Sequence, residues 1–164
     1  PGLAMDIRPF ETADAIAVGI LLDTVFEGSA ERRLTEELRA TRRMASEMVA
    51  TDEDRIVGYI GFTRMVAPVG WLSLSPVAVT PALQGQGVGA ELVRYGLDRA
   101  RQSGALAVTV LGSPDYYTRF GFTLKAAENL NVDYPKDYFL LYPIAPGTAG
   151  LATNVIYPSA FQKV

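Results

Sequence analysis

The sequence predicts a single-domain mixed α/β fold, on three observations. Short apolar runs bounded by turn residues alternate with amphipathic stretches of helical period. The chain has 164 residues, 49% of them hydrophobic and 20% charged, enough for one domain with a real core. No repeat or low-complexity linker divides it, so residues 1–164 read as one unit.

Taken in order, residues 5–9 are a short strand, and residues 11–25 and 29–42 read as helices. The second helix turns Leu34 and Leu38 inward and keeps Glu31, Arg32, Glu36, Arg39 and Arg43 outward, the pattern of a solvated charged face. Residues 47–51 and 55–65 form a hairpin around the acidic turn Asp52-Glu53-Asp54. Its second strand is apolar on both faces through Ile56, Val57, Tyr59, Ile60 and Phe62. A strand at 71–80, a helix at 88–102 and a continuous apolar strand at 106–111 follow, which demands a crossover connection. A short helix is expected at 116–120 and strands at 122–124, 138–142 and 152–157, in an irregular C-terminal segment, 125–164, broken by Pro135, Pro143, Pro146 and Gly150.

Composition narrows the chemistry. Fifteen basic against eighteen acidic residues give a net charge of -3, which argues against a nucleic-acid or anionic-membrane partner and makes any phosphate site local. The absence of cysteine and histidine excludes disulfides, thiolate metal sites and nucleophile–histidine mechanisms, and no carboxylate cluster has metal-ligand spacing, so no metal is expected. The longest apolar run, from Ala15 to Leu22, is far below the ~20 residues of a bilayer span. With Asp6, Glu11 and Asp14 where a secretory leader would be basic and then apolar, a cytoplasmic location is expected. Pro1 to Ala4 read as an addition ahead of a natural start at Met5-Asp6-Ile7-Arg8.

The most informative stretch runs from Val77 to Ala90: an apolar strand, a turn with glycines at 85, 87 and 89, and an amphipathic helix with Val88, Leu92, Val93, Leu97 and Ala100 on one face. Alternating glycines let a bulky anion approach main-chain amides, and the new helix offers unpaired N–H groups and its positive dipole end. The same glycines could serve only a tight turn. Gly85-x-Gly87-x-x-Ala90 also matches a loose dinucleotide fingerprint, but the next strand ends at Leu111-Gly112-Ser113 without the acidic residue that would hold a ribose. No Gly-Lys-Ser/Thr follows, which excludes a nucleoside triphosphate loop.

Gln84-x-x-Gly87-x-Gly89 after a strand resembles the acyl-CoA pyrophosphate motif of the GNAT superfamily of N-acetyltransferases. Leu111-Gly112-Ser113-Pro114-Asp115-Tyr116-Tyr117-Thr118-Arg119-Phe120-Gly121-Phe122 is similar to that superfamily's second signature, a tyrosine four residues before Gly-Phe. The wording of this segment, with Tyr157-Pro158-x-Ala160-Phe161, resembles a bacterial subgroup of N-acetyltransferases. The resemblance implies a mostly antiparallel sheet flanked by helices, with the cofactor at the strand-turn-helix unit. It implies that the pantetheine of acetyl-CoA lies along Val77, Ala78 and Val79, a main-chain N–H near Val79 polarising the thioester. The pyrophosphate is then held by the amides of Gly85, Gln86, Gly87, Val88, Gly89 and Ala90. Gln84, where an arginine is often found, braces the loop or reaches a phosphate oxygen.

Acetyl transfer to an amine needs a held thioester, a neutral amine, an oxyanion donor and a proton for the leaving thiolate, so a chain without cysteine or histidine can perform it. By its position before Gly121-Phe122, Tyr117 is the expected general acid, with Tyr116 a packing aromatic and Arg119 either a nucleotide contact or a surface charge. Residues 71–75 offer no carboxylate, which leaves Glu27, Glu31 or water as the base. The acceptor is a small-molecule or peptide amine whose identity the sequence does not carry. An acyl-CoA sensor without catalysis and, more distantly, a dinucleotide-binding oxidoreductase are the other readings. A homodimer through the irregular C-terminal segment is compatible with the sequence.

Overall fold

The computed structural model describes residues 5–163. The addition expected at residues 1–4 lies outside the described residues. Six strands form one sheet: β1 (Met5–Pro9), β2 (Met44–Asp52), β3 (Arg55–Arg64), β4 (Trp71–Val79), β5 (Ala107–Leu111) and β6 (Phe139–Pro143). They lie side by side in sequence order. Every neighbouring pair is antiparallel except β4 and β5. That parallel pair needs a crossover, and α3 (Val88–Gln102) supplies it.

Helix positions follow from burial on both sheet faces. On one face α3 sets Leu92, Val93 and Leu97 against Met48, Ile60, Phe62 and Leu74. On the other, α1 (Ala15–Val25) packs Val18, Leu21 and Leu22 on Val49, Tyr59 and Ala78. Beside it, α2 (Ala30–Ala40) closes Leu34 and Leu38 over Ala160 and Phe161 from the C-terminal segment. Covered on both sides, β3 is buried continuously from Val57 to Thr63, as its two-faced apolar pattern predicts.

A polar anchor fixes α2 to the sheet. The Glu47 carboxylate accepts from Arg39 Nη2 at 2.7 Å and from the Tyr59 hydroxyl at 2.6 Å. Phe10 lies under the guanidinium, 4.2 Å from its carbon to the ring centre. Burial, with Glu47 alongside, holds Tyr59 well above the ordinary phenol value, so this hydroxyl stays a donor.

Three expectations need correction. Residues 122–124 are not a strand: Thr123 makes one isolated bridge to Leu141, and its side chain caps α5 (Leu124–Ala127) by accepting from Ala126 N–H. Residues 152–157 are not a strand either, because pairing is limited to the bridges Asn131 to Asn154 and Ala67 to Ile156. The helix expected at 116–120 starts earlier, as α4 (Pro114–Tyr117), and tightens into a 3-10 turn, Thr118–Phe120, that ends on left-handed Gly121.

Candidate active site

The site begins where β4 and β5 part. Their ladder holds only Trp71 with Ala107, Leu72 with Val108 and Ser73 with Thr109. Pairing of β4 with β3 continues through Val79. Beyond Ser73, one edge of β4 therefore carries main-chain groups without a strand partner, in a cleft that opens toward the turn after β4.

At the far end of that cleft lies a cavity of about 280 Å³ lined by Val79, Gln84, Gly85, Gly87, Val88, Gly89, Ala90, Tyr116 and Arg119 together with Leu83. Gly85 and Gly87 have φ of +79° and +89°, a region that a side-chain-bearing residue enters only at a cost. Gly87 caps α3, so the first-turn N–H groups and the positive dipole end of this 15-residue helix face the cavity. Gln84 Nε2 donates to Val79 O at 2.9 Å and ties the loop back to the strand. Gln86 lies outside the lining, its Nε2 donating to Ala82 O at 3.4 Å. The side chain of Ala78 is buried on the α1 face, which leaves only its backbone toward the cleft, whereas Val77 and Val79 pack on the α3 face.

Tyr116 and Tyr117 take different places. Tyr116 lines the 280 Å³ cavity with Arg119 across its ring at 4.6 Å, and Arg119 Nε donates to the Tyr116 carbonyl at 2.8 Å. A Cβ on Gly89 would lie 3.4 Å from the Tyr116 hydroxyl. Tyr117 is held edge-on by Tyr116 and Phe122, at ring separations of 5.0 and 5.7 Å. Its ring lies so close to the end of β5 that a Cβ on Gly112 would come within 2.5 Å of it, a contact only glycine allows. Burial, with a smaller effect from Tyr116, pushes the Tyr117 phenol up to about 12.

The near end of the cleft holds a second cavity of about 200 Å³, where Ser73 and Ser75 of β4 and Leu111 of β5 meet Glu31 and Leu34 of α2 and the rings of Tyr134, Tyr157 and Phe161. Burial pushes Tyr157 up to about 12, against the opposing influence of the Thr109 and Ser73 hydroxyls, which places it at the last paired residues of β4 and β5. Of the two glutamates singled out in the sequence, Glu31 lines this cavity and Glu27 is exposed outside it. The sequence marks Tyr116 only as a packing aromatic and residues 71–75 only as lacking a carboxylate, and it gives no signal for Tyr134. For Tyr157 and Phe161 the only signal was the Tyr-Pro-x-Ala-Phe motif.

A model of the acetyltransferase (GNAT) family matches residues 18–122. The chain is 36% identical to the N-acetyltransferase YhbS of Escherichia coli, across 97% of this chain and 99% of that protein. The crystal structure of E. coli YhbS in complex with CoA superposes with a TM-score of 0.91 at 33% identity, covering 99% of this chain and 94% of that one. A GNAT family acetyltransferase from Brucella melitensis, crystallised with acetyl-CoA, gives a TM-score of 0.83 at 30% identity, over 96% of this chain and 97% of that one.

Proposed function

The chain belongs to the GNAT family of acetyltransferases, and from that premise we propose that it moves an acetyl group from acetyl-CoA to a primary amine by direct attack in a ternary complex. One observation carries the reading: the edge of β4 that β5 leaves unpaired runs from an aromatic cavity at Ser73 and Ser75 to a glycine-lined helix N-terminus at Val79. The CoA-bound relatives support the choice of cofactor.

The pyrophosphate sits against the amides from Gly85 to Ala90, where α3 begins and Arg119 adds a positive charge. Pantetheine runs along β4 past Val79 and Val77 as an added strand would. The acyl group then lies near the junction of β4 and β5, beside the cavity that takes the amine. Gln84 braces the loop rather than contacting phosphate, because its amide is committed to Val79.

The amine nitrogen attacks the thioester carbon with its lone pair, and the C–N bond forms as the C–S bond breaks with its electrons going to sulfur. One proton leaves nitrogen for Glu31 or water, and one reaches the thiolate from Tyr117, giving amide and free thiol. A phenol held at about 12 is fully protonated at neutral pH. The desolvation that raises it also raises a thiolate beside it, which narrows the gap between donor and acceptor.

The test is acetyl-CoA-dependent thiol release with a panel of primary amines, comparing the native protein with Tyr117→Phe. Turnover in the native protein, lost in the variant at unchanged cofactor affinity, supports the reading. Acetyl-CoA binding without turnover of any amine overturns it in favour of a binding protein.

A further inference from the structure

The aromatic wall of the 200 Å³ cavity also lines a second one. A neighbouring cavity of about 230 Å³ is lined by the same three rings, Tyr134, Tyr157 and Phe161, and adds Asp133. The rings form an edge-to-face row, with centres 5.2 Å apart for Tyr134 and Tyr157 and 4.9 Å apart for Tyr157 and Phe161. Glu31 lies on one side of this row and Asp133 on the other. Among the described lining residues of both cavities there is no lysine or arginine. The contrast with the cofactor end is chemical, since that end has Arg119 and a helix N-terminus.

The aromatic faces point the same way. An arginine or lysine of the protein covers Phe10, Tyr116, Phe120, Phe139 and Tyr142. Among the described residues no such cation covers Tyr134, Tyr157 or Phe161. An aromatic ring in a partly desolvated pocket attracts a cation, and carboxylates near it add to that attraction. Size adds a limit, because about 200 Å³ holds roughly seven water-sized groups.

We propose that the acceptor is a compact amine carrying a second, positively charged centre, held against the Tyr134, Tyr157 and Phe161 rings by Glu31, with Asp133 adding negative field from beyond the rings, while its other nitrogen reaches the β4–β5 junction. The proposal rests on the acetyltransferase reading and names its substrate class, and with Glu31 engaged by the charged centre the proton from the attacking nitrogen goes to water. A second charge resolves a conflict that a monoamine would face. A carboxylate beside the only nitrogen favours the ammonium, which cannot attack, whereas with two centres one stays charged on the carboxylate and the other reacts as the free base.

Three amines of equal length test this: 1,4-diaminobutane, 1-aminopentane and 4-aminobutanoate, which end in ammonium, methyl and carboxylate. Their binding is measured by calorimetry on the protein alone and on the protein with CoA, and acetylation is followed as kcat/KM. The expected result is at least a tenfold preference for the diamine over 1-aminopentane, no measurable use of 4-aminobutanoate, and loss of the preference in Glu31→Gln/Asp133→Asn. The affinity for acetyl-CoA stays unchanged in that variant. Equal or better binding of 1-aminopentane, or no binding of any of the three while acetyl-CoA binds, overturns the proposal. A diamine preference in binding without acetylation keeps the ligand class and overturns the transfer reading instead.

Discussion

The two ends of the cleft are built in different ways. The proposed cofactor end is almost contiguous: strand, turn and helix from Val79 to Ala90 line it, with Tyr116 and Arg119 closing one side. The proposed acceptor end is assembled from α2, the middle of β4, the end of β5 and two separate C-terminal stretches around Tyr134 and Tyr157. Main-chain groups dominate the first and side chains the second. Side chains can be exchanged without disturbing the backbone, so one cofactor end can be combined with many acceptor pockets. Electrostatics divides them too, a helix N-terminus with Arg119 at one end and Glu31 at the other.

This division can be broken or sharpened by substitution. The largest effect is expected from Tyr117→Phe, which removes the proposed proton donor: kcat falls by about 10²–10⁴ with acetyl-CoA affinity unchanged, measured by steady-state kinetics and calorimetry. Next is Gly87→Val, which places a β-branched residue at a φ of +89°. Stability falls by about 1–2 kcal/mol, and acetyl-CoA affinity falls by about 100-fold, or about 2.8 kcal/mol. Amine binding to the protein alone is unaffected, and a loss at both ends would show that they are not separate. Tyr59→Phe acts on the other end. With Arg39 still bonded to Glu47, it costs about 1.5 kcal/mol in denaturant unfolding and raises the KM for the amine through a looser α2, leaving that for acetyl-CoA alone.

The smallest effect lies outside both ends. The Arg8 guanidinium holds the Asp14 carboxyl below its ordinary value, opposed by burial and assisted by the Glu11 N–H. A carboxyl lowered in the folded state contributes stability above its unfolded pKa, and that contribution is lost as pH falls through the folded one. Melting temperature should therefore drop on the acid side, and Asp14→Asn should flatten that drop while both ligand affinities stay constant.

How far the sequence reveals this molecule depends on the same distinction. The helices and central strands are legible because burial imposes a period: Leu92, Val93 and Leu97 along α3, or the two-faced apolar run of β3. The glycines of the cofactor turn are legible because their conformation requires them. The stretch around residues 152–157 is not, since isolated bridges and packing hold it without any repeating pattern. Tyr134 has no local signature at all, and its meaning comes from Tyr157, more than twenty residues away in sequence and 5.2 Å away between ring centres. In the sequence Tyr116 reads as packing for the same reason, because its closeness to Gly89 exists only after α4 folds back onto the turn.

The most direct test of the account is the melting temperature with saturating acetyl-CoA, with NADH and ATP as controls. A ligand that binds only the folded state stabilises it by about 2.7 kcal/mol at 100 times its Kd. The expected result is a rise with acetyl-CoA that neither control produces and that the 100-fold weaker binding of Gly87→Val cuts to about 0.4 kcal/mol. A folded protein that shows no rise with acetyl-CoA, or an equal rise with NADH, would contradict it.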